Sequence, residues 1–228
     1  MTICIIPARG NSKRIKNKNI INFYGKPIIY YSILLAKKSK LFSRIVVSTD
    51  DNKIAKIAKK YGAEVPFIRS KKLSNDYVNS TDVVIDTIKK IFSEKEKYHC
   101  CLYPTSVLTK KDDLIRALRK IKKTNAECII PVTDYNYNPY RSFKQNGKKW
   151  ISFLFKKYSK TRSQDLPNLY HDTGTFYFFK TSSILSNKKN FSKKTTFLKI
   201  DRIRTTDINE PKDLIMAKLQ YKLINKRL

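Results

Sequence analysis

The chain has 228 residues, 41% of them apolar, so it is long enough to bury the core of one domain. Five glycines, 12% aromatic residues and four cysteines exclude collagen-like, disordered and disulfide-scaffold classes. Lysine and arginine outnumber aspartate and glutamate by 49 to 18, which gives a net charge of +31. The lysines are scattered along the chain, which is typical of a solvated surface. The positive electrostatic field of such a chain also favours an anionic partner, such as a nucleotide, a nucleic acid or a membrane surface.

The amino-terminal sequence and the cysteines both indicate a reducing compartment. Residues 4–6 run straight into Pro7, whereas a signal peptide needs an apolar stretch of about 7–15 residues. No apolar run approaches the roughly 18 residues of a membrane-spanning helix. The cysteines lack metal-ligand spacing and lie in apolar stretches: Cys4, Cys100, Cys101 and Cys128. We therefore expect reduced core thiols in a cytoplasmic protein that does not associate with a membrane.

The first half of the chain alternates short β-branched runs with helical patterns, which is typical of a parallel sheet with crossover helices. Strands are predicted at residues 3–6, 44–48, 65–68, 98–103 and 128–132. Helices are predicted after Pro27, after a cap at Asp50 or Asp51 with an end at Gly62, and at about 80–92 and 111–123.

The pattern changes at about residues 135–172, which are rich in turns and aromatic side chains and read as an inserted arm. Short strands are predicted there around Phe143 and Trp150. Strands at 174–179 and 196–200 and an amphipathic helix at 210–224 follow the arm. No linker or repeat divides the chain. We predict a single α/β domain over residues 1–228, with a Rossmann-like, mostly parallel sheet flanked by helices.

The segment that follows the first strand, residues 7–19, is the first candidate site. Five cations fall within ten of its residues, beside a glycine and a hydroxyl: Arg9, Gly10, Ser12, Lys13, Arg14, Lys16 and Lys18. The five glycines of the chain are too far apart for a dinucleotide fingerprint or a P-loop. A loop of this kind at a strand end suits a triphosphate, since nucleotidyl transfer needs fixed cations around phosphorus. A solvated basic loop is the alternative.

This loop and several later motifs resemble one enzyme family along nearly the whole chain. The motifs, in order, are residues 5–19, Ser48-Thr49-Asp50, Arg69 with Leu73-Ser74-Asn75-Asp76, residues 80–84, residues 102–106, Arg162-Ser163-Gln164-Asp165 and Asp207. Together they are similar to the acylneuraminate cytidylyltransferase (CMP-sialic acid synthetase) family. Tyr103 and the segments at 161–166 and 170–174 resemble the branch that activates pseudaminic acid more than the sialic acid branch.

The resemblance implies a fold of the nucleotide-diphospho-sugar transferase type and a CTP-dependent reaction. CTP and a nine-carbon ulosonic acid, with pseudaminic acid the expected one, would give the CMP-sugar and pyrophosphate with the help of Mg²⁺. The family also implies a homodimer in which the arm reaches into the neighbouring subunit's site. Sialic, legionaminic or 3-deoxy-octulosonic acid stays open as the acceptor.

The resemblance also assigns individual residues. The nucleotide-binding residues would be Arg9, Gly10, Ser12, Lys13, Lys18, Asn19, Arg69 and Ser80, of which the last two recognise cytosine. The catalytic residues would be Arg9, Lys18 and Asp207, and the metal ligands Asp207 and Asn209. The sugar-binding residues would be Tyr103, Arg162, Gln164, Tyr170 and His171. His99 is expected to be structural.

Several of these residues have a second interpretation. Arg69 could lie on the surface, Ser80 could cap a helix that begins at Thr81, and Asp207 could pair with Arg204. His171 could make a structural hydrogen bond or act as a base.

Two positions depart from the family pattern. Asn11 stands where a glycine is usual, and asparagine also tolerates a positive φ. Asn209 stands where many relatives have a second carboxylate, so its metal role rests on an uncharged amide oxygen. Because of Asn209, an inactive relative that only binds nucleotide is a competing interpretation. The net charge of +31 supports another, a basic nucleic-acid-binding module. The aromatic residues follow core periods and do not interleave with lysine, so we expect no specific nucleic-acid binding.

Overall fold

The computed structural model describes residues 2–91, 96–187 and 192–225. The strands are β1 Thr2–Pro7, β2 Asn22–Phe23, β3 Lys26–Pro27, β4 Arg44–Ser48, β5 Tyr98–Leu102, β6 Cys128–Asp134, β7 Phe143–Asn146, β8 Trp150–Phe153, β9 Tyr170–Asp172, β10 Phe176–Lys180 and β11 Thr195–Lys199. The helices are α1 Ile29–Ser39, α2 Asn52–Lys60, α3 Ser80–Ile91, α4 Lys111–Thr124, α5 Thr181–Asn187 and α6 Pro211–Asn225. The predicted end of the third helix at residue 92 lies outside the described residues.

Seven strands form one sheet in the order β11-β6-β10-β5-β1-β4, with β9 paired to β6. β1 is parallel to β4 and β5, and β11 is parallel to β6. β10 runs antiparallel between β5 and β6, and β9 is also antiparallel to β6. Five of these strands therefore share one direction, which confirms the predicted Rossmann-like, mostly parallel sheet.

The core lies on both faces of this sheet because successive residues of a strand point to opposite sides. Cys4 and Ile6 of β1 pack in the cluster that α1, α2 and α4 cover. Ile3 and Ile5 pack on the other face, under α3 and α5. With both faces covered by helices, the ends of the strands are the places where a ligand can approach the sheet.

All four cysteines are free and buried, which confirms the expected core thiols. Burial raises the pKa of Cys128 to about 12, so that thiol stays protonated at neutral pH. His99 is also buried, and its Nδ1 lies 2.7 Å from Thr181 Oγ1. Burial lowers the pKa of His99 to about 4. A neutral imidazole bonded within the core supports the structural role expected for this residue.

The strand predicted at residues 65–68 does not form. Two isolated parallel bridges, Val46 to Glu64 and Thr49 to Ile68, replace it. Pro66 has no N–H to give to a ladder, which explains the interruption. The segment still follows β4, because Arg69 N donates to Thr49 O at 2.8 Å. This contact places Arg69 beside the carboxyl end of β4.

The final helix, α6, differs from the predicted amphipathic pattern. Leu214, Ala217, Tyr221 and Ile224 belong to a small cluster beside the loop that follows β1. On its remaining surface, however, large apolar side chains are at least half exposed: Ile215, Met216, Leu219 and Leu223. Apolar residues therefore lie on both sides of this helix. Within the described ranges, no helix is long and apolar enough to cross a membrane.

A buried ion pair joins the segment that precedes α6 to α4. Arg204 Nη1 and Nη2 lie 2.6 and 3.1 Å from the two carboxylate oxygens of Asp113, and both side chains are largely buried. Asp113 also accepts the backbone N–H of Lys110 at 2.9 Å and so caps α4. The alternative that Arg204 pairs with Asp207 is therefore wrong.

We expect Arg204→Ala to lower the free energy of unfolding by about 3–5 kcal/mol, because it leaves the buried Asp113 carboxylate without its cation. Urea unfolding followed by circular dichroism measures this loss. Arg202→Ala is the matched control, since Arg202 is exposed two residues away. A loss below about 1 kcal/mol, the range of exposed pairs, would contradict a stabilising role for the buried pair.

Candidate active site

The loop that follows β1, the segment at residues 69–80 that leads into α3 and the loop that follows β5 line an open cavity of about 750 Å³ at the carboxyl edge of the sheet. Ten of the residues assigned from the sequence line it: Arg9, Ser12, Lys13, Lys18, Asn19, Arg69, Ser80, Tyr103, Asp207 and Asn209. These residues come from distant parts of the chain, so the sheet topology brings them together. The position agrees with the general rule that α/β sheets bind ligands outside their carboxyl strand ends.

The loop after β1 keeps its shape through internal contacts. Asn19 is buried, and its Nδ2 donates to Arg9 O at 2.8 Å. Asn17 takes the left-handed conformation with φ 55°, just before a short 3₁₀ helix at Lys18–Ile20. The asparagine that uses a positive φ in this loop is thus Asn17, and Asn11 is not among the positive-φ residues.

Gly10 makes a structural contact that the sequence analysis did not predict. A Cβ at Gly10 would lie 2.7 Å from Asp51 Cβ, so the glycine permits a close approach to the start of α2. Its N–H donates to Asp50 Oδ1 at 2.9 Å, and Asp51 caps α2 by accepting from Ile54 N. Gly10 is not among the lining residues of the cavity. A direct contact between Gly10 and a phosphate stays a prediction.

Lys18 belongs to a polar cluster with Asp207 and Asn209. Lys18 Nζ and Arg14 Nη2 approach Asn209 Oδ1 at 3.5 and 2.9 Å. Asn209 Nδ2 donates to Asp207 Oδ2 at 2.5 Å. Burial lowers the pKa of Lys18, and the negative charge of Asp207 acts in the opposite direction. A partly desolvated ammonium facing a cavity is well placed to stabilise an anion.

Arg69 is only 4% exposed, so the alternative of a surface residue is wrong. Its Nη1 donates to Ser48 O and its Nε to Ser74 Oγ, each at 3.0 Å. Asp50 Oδ1 lies 3.6 Å from Nη2 and balances the charge. Burial nevertheless lowers the pKa of Arg69. A guanidinium fixed in this way presents a rigid set of donors to the cavity.

Ser80 and Tyr103 form the neighbouring wall. Ser80 Oγ and Tyr103 Oη are 2.5 Å apart. Ser80 does not cap its helix, because α3 begins at Ser80 and Asn79 Oδ1 accepts from Asp82 N at 2.9 Å. Burial raises the pKa of Tyr103, so its hydroxyl stays neutral and can donate or accept a hydrogen bond.

Some cavity residues carried no role in the sequence interpretation, and among them are Asp76, Asp172 and Tyr177. Tyr177 Oη donates to Asp172 Oδ2 at 2.6 Å, which fixes that carboxylate in the wall. Asp172 Oδ1 accepts from Gly174 N, and a Cβ at Gly174 would lie 3.3 Å from Asp207 Cγ. Asp76 bonds to the cations of the loop after β1. Asp172 and Asp76 both lie within motifs that resemble the family, which was the available signal.

The residues expected to hold the sugar acid divide into two groups. Tyr103 lines the cavity, whereas Arg162, Gln164, Tyr170 and His171 are not among its lining residues. Arg162 Nε pairs with Asp165 Oδ2 at 2.7 Å on the surface. His171 Nδ1 lies 2.9 Å from Asp172 O, and the ring borders a second, open cavity. Sugar contact for these arm residues stays a prediction.

The donor set near Lys18 fits a hard divalent ion. Asp207 offers carboxylate oxygens, which Mg²⁺ prefers, and Asn209 offers an uncharged amide oxygen beside it. No group of three or more His, Cys, Asp or Glu side chains in the described part of the chain could hold a metal. Mg²⁺ often takes only one or two carboxylates together with phosphate oxygens, so Asp207 with a bound nucleotide is a sufficient set.

A mostly parallel sheet with a cationic loop, a buried arginine and a carboxylate at its strand ends is typical of α/β nucleotide-binding enzymes. The family model described as Cytidylyltransferase matches residues 3–221. The chain therefore belongs to the cytidylyltransferase family.

Individual relatives agree with this membership. A pseudaminic acid cytidylyltransferase from Campylobacter jejuni is 41% identical over 223 residues, covering 97% of this chain and 96% of that protein. A CMP-N,N'-diacetyllegionaminic acid synthase from the same species is 32% identical over 231 residues, covering 98% and 96%. The solved structure of CMP:2-keto-3-deoxy-manno-octonic acid synthetase complexed with CTP has a TM-score of 0.73 at 15% identity, covering 100% of this chain and 99% of that one. This likeness supports the fold.

Proposed function

We propose that this protein transfers the cytidylyl group of CTP to pseudaminic acid, giving CMP-pseudaminic acid and pyrophosphate. The observation that carries the proposal is the cavity in which Arg9, Lys13 and Lys18 converge with Asp207 at the carboxyl edge of the sheet. The sequence likeness to pseudaminic acid cytidylyltransferases extends over nearly the whole chain. It exceeds the likeness to the legionaminic and sialic acid relatives, which are 32% and 27% identical.

In the proposed reaction, the anomeric hydroxyl of the sugar acid attacks the α-phosphorus in line, and pyrophosphate leaves. Lys18 and Asn19 lie nearest the α-phosphate, and Lys18 neutralises the charge that develops there. Arg9, Ser12 and Lys13 hold the remaining phosphates. Asp207 would hold Mg²⁺, which would act as a Lewis acid on the phosphate oxygens. Positioning and electrostatics carry most of the rate enhancement in chemistry of this kind.

The base end of the nucleotide faces Arg69, Ser80 and Tyr103. Cytosine presents acceptors at O2 and N3 and a donor at N4. The buried Arg69 guanidinium supplies donors, and the Ser80–Tyr103 hydroxyl pair can supply either kind of partner. A site with both kinds of partner can discriminate cytosine from bases that lack this pattern.

The arm completes the sugar site in this proposal by joining two copies of the chain. Several of its apolar side chains are at least 36% exposed in one chain: Tyr137, Phe143, Trp150, Ile151, Leu154 and Phe155. Aromatic side chains of this kind are typical of an interface core. A second copy would bring its Arg162 and Gln164 to the cavity from outside.

We expect the protein to be a dimer at micromolar concentration, and Trp150→Asp to weaken the dimer at least tenfold, as for a buried aromatic at an interface centre. Light scattering after size-exclusion chromatography measures both. Tyr77→Asp is the matched control, since Tyr77 is 98% exposed outside the arm while Trp150 is 71% exposed within it. A fully active wild-type monomer would contradict this use of the arm.

The test of the proposed function is incubation with CTP, Mg²⁺ and a panel of ulosonic acids, with pyrophosphate release as the readout. We expect pseudaminic acid to be the preferred acceptor. Preference for sialic, legionaminic or 3-deoxy-octulosonic acid would keep the reaction type and change the substrate. CTP binding without turnover on any acceptor would favour a nucleotide-binding relative. Sequence-preferring, salt-resistant binding to RNA or DNA would favour the nucleic-acid alternative, because nonspecific binding rests on counterion release.

A further inference from the structure

A carboxylate from outside the cationic loop pairs with two of its cations. Asp76 Oδ1 lies 2.7 Å from Arg9 Nη1, and Asp76 Oδ2 lies 2.6 Å from Lys13 Nζ. Arg9 Nη1 also approaches Asn75 O at 3.4 Å. The partners are separated by more than 60 residues of sequence, so the fold brings this carboxylate to both cations. Asp76 lines the same cavity as Arg9 and Lys13.

The segment that carries Asp76 is anchored to the base end of the cavity. Ser74 Oγ accepts from the buried Arg69 and donates to Ser70 O at 2.9 Å. Asn75 Nδ2 donates to Lys72 O, and Asn75 Oδ1 accepts from Tyr77 N. Asp76 is therefore held by its neighbours in the position where it meets the two cations. The hydrogen bond from Lys13 lowers the pKa of Asp76, which keeps the carboxylate ionised at neutral pH.

We propose that Asp76 is a positioning residue that competes with the outer phosphates for Arg9 and Lys13, and so sets how tightly polyphosphate is held and how readily pyrophosphate leaves. This inference rests on the proposed function, in which Arg9 and Lys13 bind the phosphates beyond the α-phosphate. When those phosphates arrive, the Asp76 carboxylate gives up its two partners. When pyrophosphate leaves, the carboxylate pairs with them again.

The charges determine the direction of the effect. Arg9 and Lys13 together carry two positive charges, of which Asp76 neutralises one, so removing that carboxylate strengthens the attraction for any anion that reaches both cations. A ligand with only an α-phosphate does not reach them and gains little. Both ion pairs are partly exposed, with Lys13 74% and Asp76 35% accessible. Solvent screening therefore limits the gain in affinity to about threefold to tenfold.

A purely orienting role for Asp76 predicts the opposite change in polyphosphate affinity. If Asp76 served only to orient Arg9 and Lys13 for the phosphates, its loss would release these side chains and weaken polyphosphate binding. The dependence on the number of phosphates separates the two roles, since a general change in folding or net charge would affect CMP as well as CTP.

The experiment is isothermal titration calorimetry of pyrophosphate, CTP and CMP, with Mg²⁺ and without sugar acid, on the wild type and Asp76→Asn. We expect Asp76→Asn to bind pyrophosphate and CTP about threefold to tenfold more tightly and CMP unchanged. The pyrophosphate inhibition constant should fall by the same factor. Asp112→Asn is the matched control, because Asp112 is an exposed carboxylate on α4 that does not line the cavity.

A second variant identifies the cations as the route of the effect. In a Lys13→Gln background, the gain from Asp76→Asn should shrink, because one of the two cations for which Asp76 competes is gone. Weaker or unchanged pyrophosphate binding by Asp76→Asn, or an equal gain for CMP, would overturn the inference while the proposed function stands. Failure of the wild type to bind CTP and pyrophosphate would overturn both.

Discussion

Replacing Lys18 by alanine is expected to lower turnover about 10²–10³-fold, the scale for losing one preorganised contact to a developing charge. Lys18 is suited to this role because burial lowers its pKa and its ammonium is held near Asn209 Oδ1 and Asp207. A partly desolvated cation stabilises a transition state more than the same charge in water. CTP binding should fall by a smaller factor, because the other cations of the loop remain.

Steady-state kinetics with saturating CTP measure turnover, and a separate titration measures CTP binding. Comparing the two separates an effect on the transition state from an effect on the ground state. Lys16→Ala is the matched control on the same loop, because Lys16 is exposed and does not line the cavity. We expect this control to change turnover less than twofold, as for an exposed surface charge. A Lys18→Ala enzyme that keeps more than half of the wild-type turnover would remove Lys18 from the mechanism.

Most of the sheet could be predicted from the sequence because most of its strands have a local signal; β9, Tyr170–Asp172, was not among the predicted strands. The β-branched run at residues 44–48 and the apolar run before Pro7 each carry such a signal, and each forms a strand. The direction of β10 has no such signal. Its sequence predicts a strand, but the long connection through the arm decides that it enters antiparallel between β5 and β6. Strand direction after a long insertion is a property of the whole topology.

The nucleotide end of the site was predictable for a related reason. Arg9, Lys13 and Lys18 are close in sequence and follow a strand, so their convergence at a strand end follows from local structure. The carboxylate that bridges Arg9 and Lys13 comes from position 76, and only the fold brings it there. Its motif was visible, but its contact was not, because pairing between distant residues depends on the packed structure.

The sugar end was less predictable, and the arm explains why. Arg162 was expected near the sugar acid, but in one chain it bonds to Asp165, three residues away. A motif that resembles a family gives residue roles without saying which copy of the chain supplies them. The exposed apolar side chains of the arm, such as Trp150, are the observation on which the proposed second copy rests.

The metal site should show the second large effect. Asp207→Ala is expected to lower activity at least about 10³-fold, because a bound divalent ion contributes several kcal/mol of charge stabilisation. Asp207 is the carboxylate next to Lys18, and its Oδ2 accepts from Asn209 Nδ2. Binding of Mn²⁺ as a stand-in, followed by electron paramagnetic resonance in the presence of CTP, provides a readout that does not depend on turnover.

Asn209 is the position at which a substitution could strengthen Mg²⁺ binding at the proposed site. Its amide oxygen is taken by Arg14 and Lys18, and its nitrogen bonds to Asp207. In this arrangement the amide positions its neighbours and supplies no charge to the ion. Asn209→Ala should therefore cost about tenfold in turnover, between the effects of a surface change and of the loss of Lys18.

Asn209→Asp should preserve activity and tighten Mg²⁺ binding roughly tenfold, because it adds a second hard anionic ligand. Magnesium titrations of Asp207→Ala, Asn209→Ala and Asn209→Asp measure the half-saturation of each variant. Unchanged half-saturation in both Asp207→Ala and Asn209→Asp would place the metal elsewhere, because both substitutions alter the charge that the ion would meet.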